Sequence, residues 1–169
     1  MAYIKCTAKL LRELGTKLII EVDQPSSLPD WHANLLRLNQ KKYVLFTNDQ
    51  TLYSILVRWT KTLKLAGLLE RFKLELFRNL MSEGLPQERI EFLLSQHSQI
   101  SIIKTNNRSV LGSMNDLTLQ IKWIIYNDDG LDEANLPEII RQTNRTPMSA
   151  INYHLAIDEM KQRLNEACE

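Results

Sequence analysis

A chain of 169 residues with 44% hydrophobic and 24% charged side chains is long enough to bury one substantial core and short for two, so a single domain over residues 1–169 is expected. Its 21 basic and 20 acidic residues leave a formal charge of +1, which excludes the global positive field of a dedicated nucleic-acid or membrane-surface binder but permits a local basic patch. Cys6 and Cys168 lie far apart without a Cys-x-x-Cys or Cys/His grouping, no secretory leader is legible at Met1, and no apolar run approaches membrane-spanning length. Free thiols, no metal, no cofactor and a soluble cytoplasmic protein without membrane contact are the resulting expectations.

Residues 3–6 form a short strand candidate, followed by Thr7 as N-cap, Leu10, Leu11 and Leu14 on one helical face, and Gly15 as the stop. The β-branched apolar run at 18–22 suggests another strand, and the Pro- and Ser-rich stretch 24–30 a loop too short to separate domains. Runs 33–38, 43–47 and 52–57 are strand-like and joined by turn-forming residues at hairpin length, which predicts an antiparallel meander. From Leu63 the period changes: Leu65, Leu69, Phe72, Leu76 and Leu80 recur at helical spacing until Gly84. Pro86 opens a helix carrying Ile90, Leu93 and Leu94, and Ile100 and Ile102 alternate with polar neighbours as a strand. Val110, Met114, Leu117, Ile121 and Ile124 mark a third long helix ending at Asp128-Asp129-Gly130. A short helix at 136–141 and a last helix after Thr146-Pro147, burying Ile151, Leu155 and Leu164, complete the chain. Strands mostly early and helices mostly late predict an α+β fold: an antiparallel sheet with a central β-meander and helices packed mainly on one face.

Several chemistries are absent. The five glycines are isolated, so neither a phosphate-cradling nor a dinucleotide fingerprint exists, and Gly112-Ser113 lacks the second glycine and preceding strand of a nucleophile elbow. His32, His97 and His154 have no second ligand at i+3 or i+4, and the acidic run from Asp128 to Glu133 lacks the ligand order of a calcium loop. Lys64, Arg71 and Arg78 recur every seven residues, interrupted by Glu75, as on a solvated helix face.

Two Asn-Arg junctions stand out, Asn107-Arg108 and Asn144-Arg145, each where a loop feeds an apolar helix. An asparagine there caps the helix, while an arginine close to free N–H groups is electrostatically out of place unless an anion or carboxylate joins it. Lys104 adds charge beside the first junction. Lys104, Asn107, Arg108, Asn144 and Arg145 are therefore the candidate ligand-binding residues. A bland alternative has each arginine fastening a loop through an internal carboxylate such as Asp49 or Asp116. Trp31-His32, at the entry to a strand, is the other candidate, because an imidazole there could titrate near neutral pH.

Cys6-Thr7 with Lys9-Leu10-Leu11, Trp31-His32-Ala33-Asn34-Leu35, the hairpin ending in Asn48-Asp49, Lys104-Thr105-Asn106-Asn107-Arg108-Ser109, and Asn144-Arg145-Thr146-Pro147-Met148 together resemble an uncharacterised bacterial domain family. Its members occur alone and beside or fused to plasmid-type open reading frames. The resemblance spans nearly the whole chain, supplies no catalytic residues, and implies a mobile-element setting with a defence, maintenance or regulatory role. The expected function is a non-catalytic binding or interaction module receiving an anionic group, with nucleic acid, a phosphorylated small molecule or a partner protein as the occupant. The competing expectation is a metal-independent hydrolase or nuclease in which His32, with Asp49, acts as acid or base while Arg108 and Arg145 stabilise negative charge.

Overall fold

The computed structural model describes residues 1–16, 27–127, 130–132 and 134–169. The strand expected at 18–22, residues 24–26 of the loop expected at 24–30, and Asp128, Asp129 and Glu133 lie outside them. Strand β1 (Ala2–Cys6) runs into α1 (Ala8–Leu14), whose first turn is capped by the Thr7 hydroxyl accepting from the Leu10 N–H and whose end is turned by Gly15 at φ 66°. The meander follows as β2 (Trp31–Leu38), β3 (Lys41–Asn48) and β4 (Ser54–Arg58). Asn39 and Gln40, at φ 47° and 64°, make the tight β2–β3 turn, whose twist matches that of the strands. Helices α2 (Lys64–Ser82) and α3 (Gln87–Ser95) lead to β5 (Ile100–Lys104), α4 (Arg108–Asn127), α5 (Leu136–Thr143) and α6 (Ala156–Ala167).

These form one five-stranded sheet in the order β4-β3-β2-β1-β5. The meander is antiparallel as expected, but β1 lies parallel to both β2 and β5. The sheet is thus mixed, which corrects the expectation of an antiparallel one. The physical reason is connectivity: α1 intervenes between β1 and β2, and a crossover through a helix returns the chain in the same direction.

Helices also cover both faces, against the expectation of one. Leu10, Leu11, Phe72, Leu76, Ile90, Met160 and Leu164 from α1, α2, α3 and α6 pack on Ile4, Trp31, Val44, Phe46 and Ile55. Val110, Met114, Leu117, Ile121, Ile139 and Ile140 from α4 and α5 pack on the opposite face, against Leu36, Leu38, Tyr43, Leu45 and Leu56. Unbroken apolar runs such as Tyr43-Val44-Leu45-Phe46 are what a strand buried on both faces requires. Along α2 the buried seam is Leu68, Phe72, Leu76 and Leu80, with Leu65 and Leu69 only partly covered. Spaced by four, this row lies against the sheet with Phe72 wedged edge-on to Trp31 at 5.2 Å and tilted against Phe46 at 4.6 Å. The C-terminal helix begins only at Ala156; Ser149–Ile151 is a 3-10 turn, and positive φ at Asn152 and Tyr153 breaks the chain between them.

Candidate functional site

Side chains alternate along a strand, so register decides which polar groups meet. Lys5 and His32 are register partners on β1 and β2 and share the face covered by α4. The turn after β3 brings Asp49 to both: its carboxylate lies 2.6 Å from His32 Nδ1 and 2.5 Å from Lys5 Nζ. The His32 and Asp49 side chains are wholly buried and Lys5 nearly so. Burial pushes the Asp49 carboxyl up, but hydrogen bonds and positive charge from His32 and Lys5 outweigh it and hold the group below the usual carboxylate range. This cluster unites two of the sequence candidates, His32 and Asp49. Its free end, His32 Nε2, is buried without a partner among the described residues. Trp31, on the other face, donates its indole N–H to His97 Nε2 at 3.1 Å while His97 Nδ1 bonds the Leu93 carbonyl; burial lowers the His97 pKa to about 4, so the ring is neutral.

The two Asn-Arg junctions do not converge. Asn107 caps α4 as expected, its side-chain oxygen accepting from the N–H groups of Ser109 and Val110, and Lys104 and Arg108 stand exposed beside it at the end of β5. Among the described residues neither cation has an ion-pair partner. Asn144, by contrast, is fully buried and closes α5 rather than opening a helix. Its amide accepts from the Ser54 N–H at 2.7 Å and donates to the Ser54 carbonyl at 2.8 Å, gripping the edge of β4. Arg145 forks onto the buried carboxylate of Glu83, with one contact at 2.8 Å, and bonds the Arg141 carbonyl. An internal carboxylate is therefore its partner, Glu83 rather than Asp49 or Asp116. Since β5 and β4 are opposite edges of the five-stranded sheet, Arg108 and Arg145 are separated by roughly 19 Å of sheet alone.

A cleft of about 460 Å³ opens instead along β4, between α2 and α5. Leu56, Val57 and Arg58 form its back, Arg71, Glu75 and Arg78 the α2 wall, and Leu136, Pro137 and Ile140 the α5 wall. The Arg58 guanidinium lies over the Tyr43 ring, 5.4 Å from its centre. Two polar atoms here are buried with no partner among the described residues: the Tyr43 hydroxyl, on a fully buried side chain, and Arg58 Nη1. Arg78 reaches Glu75 at 3.4 Å, which leaves the three arginines with a single carboxylate among the lining residues. A smaller cleft lies at the far end of β2, beside Lys122 and Tyr126 of α4. Neither cleft includes His32.

With this geometry in hand, comparison with known proteins becomes informative. A family model described as "Domain of unknown function (DUF6933)" matches residues 3–159. The chain belongs to this family. No curated protein and no solved structure matches it. The DUF6933 match begins at β1 and ends within α6, so it takes in nearly the whole sheet, most of both cores and the β4 cleft. Within this DUF6933 domain, the residues that sequence reasoning missed are Tyr43 and Arg58, hidden in strands where they read as ordinary alternation. Arg71 and Arg78 were visible as a seven-residue recurrence but read as a wet face. The clue was Glu75: one carboxylate between two arginines leaves net positive charge on that side of the helix. Both cysteines are free, and burial pushes the Cys6 thiol up to about 12, where it is unreactive. Among the described residues no helix is long and apolar enough to cross a membrane.

Proposed function

We propose that this protein is a binding module that receives an anionic group in the cleft between α2, β4 and α5. The observation that carries the reading is the pair of buried, unpartnered polar groups, Tyr43 Oη and Arg58 Nη1, beneath an opening walled by Arg71 and Arg78. Buried donors are normally satisfied, and an orphan costs roughly 1–3 kcal/mol, so two together beside an opening mark a place where a ligand supplies the missing acceptors. A guanidinium presents its donors as a fork that fits carboxylate or phosphate oxygens, and the stacked Tyr43 ring fixes its plane. The volume lies within the usual range for small-ligand sites, and the apolar α5 wall gives the rest of the ligand a dry surface.

The reading in which His32 acts with Arg108 and Arg145 draws no support from the geometry. His32 is fully buried, Arg145 is already paired, and Arg108 lies at the opposite edge of the sheet.

The test is thermal unfolding with increasing inorganic phosphate and, separately, succinate. Either anion is expected to raise the melting temperature of the wild type through ligand linkage, with the response abolished in Arg58→Gln and in the double variant Arg71→Gln/Arg78→Gln. Equal responses in wild type and variants, or none in any, would sink the proposal.

A further inference from the structure

Resting on the cleft reading above, we infer that its occupant is an extended peptide segment in which acidic and apolar residues alternate, added to β4 as a sixth strand. The first support is the state of the β4 edge. Tyr53 O accepts from Asn48 N and Trp59 N donates to Lys42 O, so the odd-numbered residues direct their backbone groups inward to β3. The even-numbered residues Ser54, Leu56 and Arg58 direct theirs outward. At Ser54 this is seen directly, because Asn144 takes both the N–H and the carbonyl in the two-bond pattern of a neighbouring strand. A side-chain amide thus stands where a sixth strand would begin. The next two outward-facing positions, Leu56 and Arg58, line the cleft, and among the described residues no donor or acceptor takes their outward groups.

The walls supply the second support. An added strand sends alternate side chains to opposite faces. Toward α2 they meet Arg71 and Arg78, two helical turns and roughly 10 Å apart. Toward α5 they meet Leu136, Pro137 and Ile140. The matching segment carries carboxylates at every second position and aliphatic side chains between. Glu75, seated between the two arginines and paired with Arg78, repels a compact polyanion such as a triphosphate, whereas carboxylates spaced along a strand pass on either side of it. Asn144 bounds the window at one end and the 3-10 turn Lys61–Leu63 at the other, so about five residues fit.

Fluorescence anisotropy tests this with four labelled peptides of equal charge. The alternating peptide Glu-Val-Glu-Val-Glu is expected to bind at least tenfold tighter than the block peptide Glu-Glu-Glu-Val-Val. N-methylation of the backbone at one parity of positions should weaken it at least tenfold, and at the other parity leave it unchanged, because only one set of N–H groups faces β4. Arg71→Gln/Arg78→Gln should cost a further tenfold at low salt. Block and alternating peptides binding equally, or insensitivity to methylation at both parities, overturns strand addition. If the peptides fail while phosphate still stabilises the wild type through Arg58, this inference falls and the anion site stands. If neither peptide nor phosphate binds, both fall together.

Discussion

The sheet carries two clusters of charge that are built in opposite ways. Around Asp49, the carboxylate lies within 2.6 Å of both Lys5 and His32, and all three side chains are buried or nearly so. Around Arg58, Arg71 and Arg78, Glu75 is the single lining carboxylate, Tyr43 Oη and Arg58 Nη1 are buried without a partner among the described residues, and the cluster opens outward. The Asp49 cluster leaves one buried atom, His32 Nε2, without a partner among the described residues and lining neither cleft, whereas the Arg58 cluster sets its orphans beside an opening, at a cost in folding energy of the kind ordinarily retained for binding. The difference also shows why charge alone is a poor guide to a site. The richest buried electrostatics in this molecule belong to the cluster that ties β1, β2 and the β3–β4 turn together.

The comparison can be broken by substitution. The largest effect is expected from Asp49→Ala, which removes the buried carboxylate that contacts both Lys5 and His32 and should cost about 3–5 kcal/mol in urea unfolding; a loss below about 1 kcal/mol would mean the cluster is not structural. Next comes acid. His97 is neutral when folded, with its pKa lowered from 6.5 to about 4, so the unfolded chain binds the extra proton between those values and stability falls as pH is lowered through that window. The shift is worth on the order of 3 kcal/mol, and a His97 imidazole resonance titrating near 6.5 in the NMR spectrum of the folded protein would contradict it. Asp49, held low, adds its own loss at still lower pH, as the carboxylate is protonated.

Smaller effects separate the junctions and the cleft. Arg145→Gln should cost about 1–3 kcal/mol because it strands the buried Glu83 carboxylate, while Arg108→Gln, on an exposed side chain, should stay within about 0.5 kcal/mol. Equal costs would mean that the two junctions are equivalent after all. The smallest change is expected for Tyr43→Phe, within about 0.5 kcal/mol of wild type or slightly stabilising, since the hydroxyl it removes has no partner among the described residues to lose. A loss above about 1 kcal/mol would assign that hydroxyl an internal partner and remove a main support of the cleft proposal.

Much of the fold was legible because period and punctuation are local properties. Thr7, Gly15, Asn107 and the switch of period near Leu63 located their elements correctly. Pairing is not local. Whether β1 joins β2 in parallel depends on a crossover whose direction no window of residues contains, and the second covered face was visible only as the unbroken apolar runs of β3 and β4. The same limit governed the polar residues. Asn144-Arg145 looks like Asn107-Arg108 in sequence, yet one asparagine caps a helix and the other grips a strand 90 positions away. Asp49, named both as a partner for arginine and beside His32, holds His32 and Lys5 and no arginine among the described contacts. The cleft was the least legible feature, because Tyr43 and Arg58 become neighbours only through β3–β4 register.

The position of β1 has a kinetic consequence. Its register partners on β5, such as Ile100 opposite Ala2, lie nearly a hundred positions along the chain, whereas β2, β3 and β4 are joined by short turns. Closing the long loop costs entropy before any contact repays it, so the meander is expected to form in the folding transition state and the β1–β5 edge to dock afterwards. Conservative truncations in β3, such as Val44→Ala, should then slow folding with high φ-values, and Ile103→Val in β5 should chiefly speed unfolding. During synthesis the first strand of this protein would wait, unpaired on that side, until residue 104 has left the ribosome.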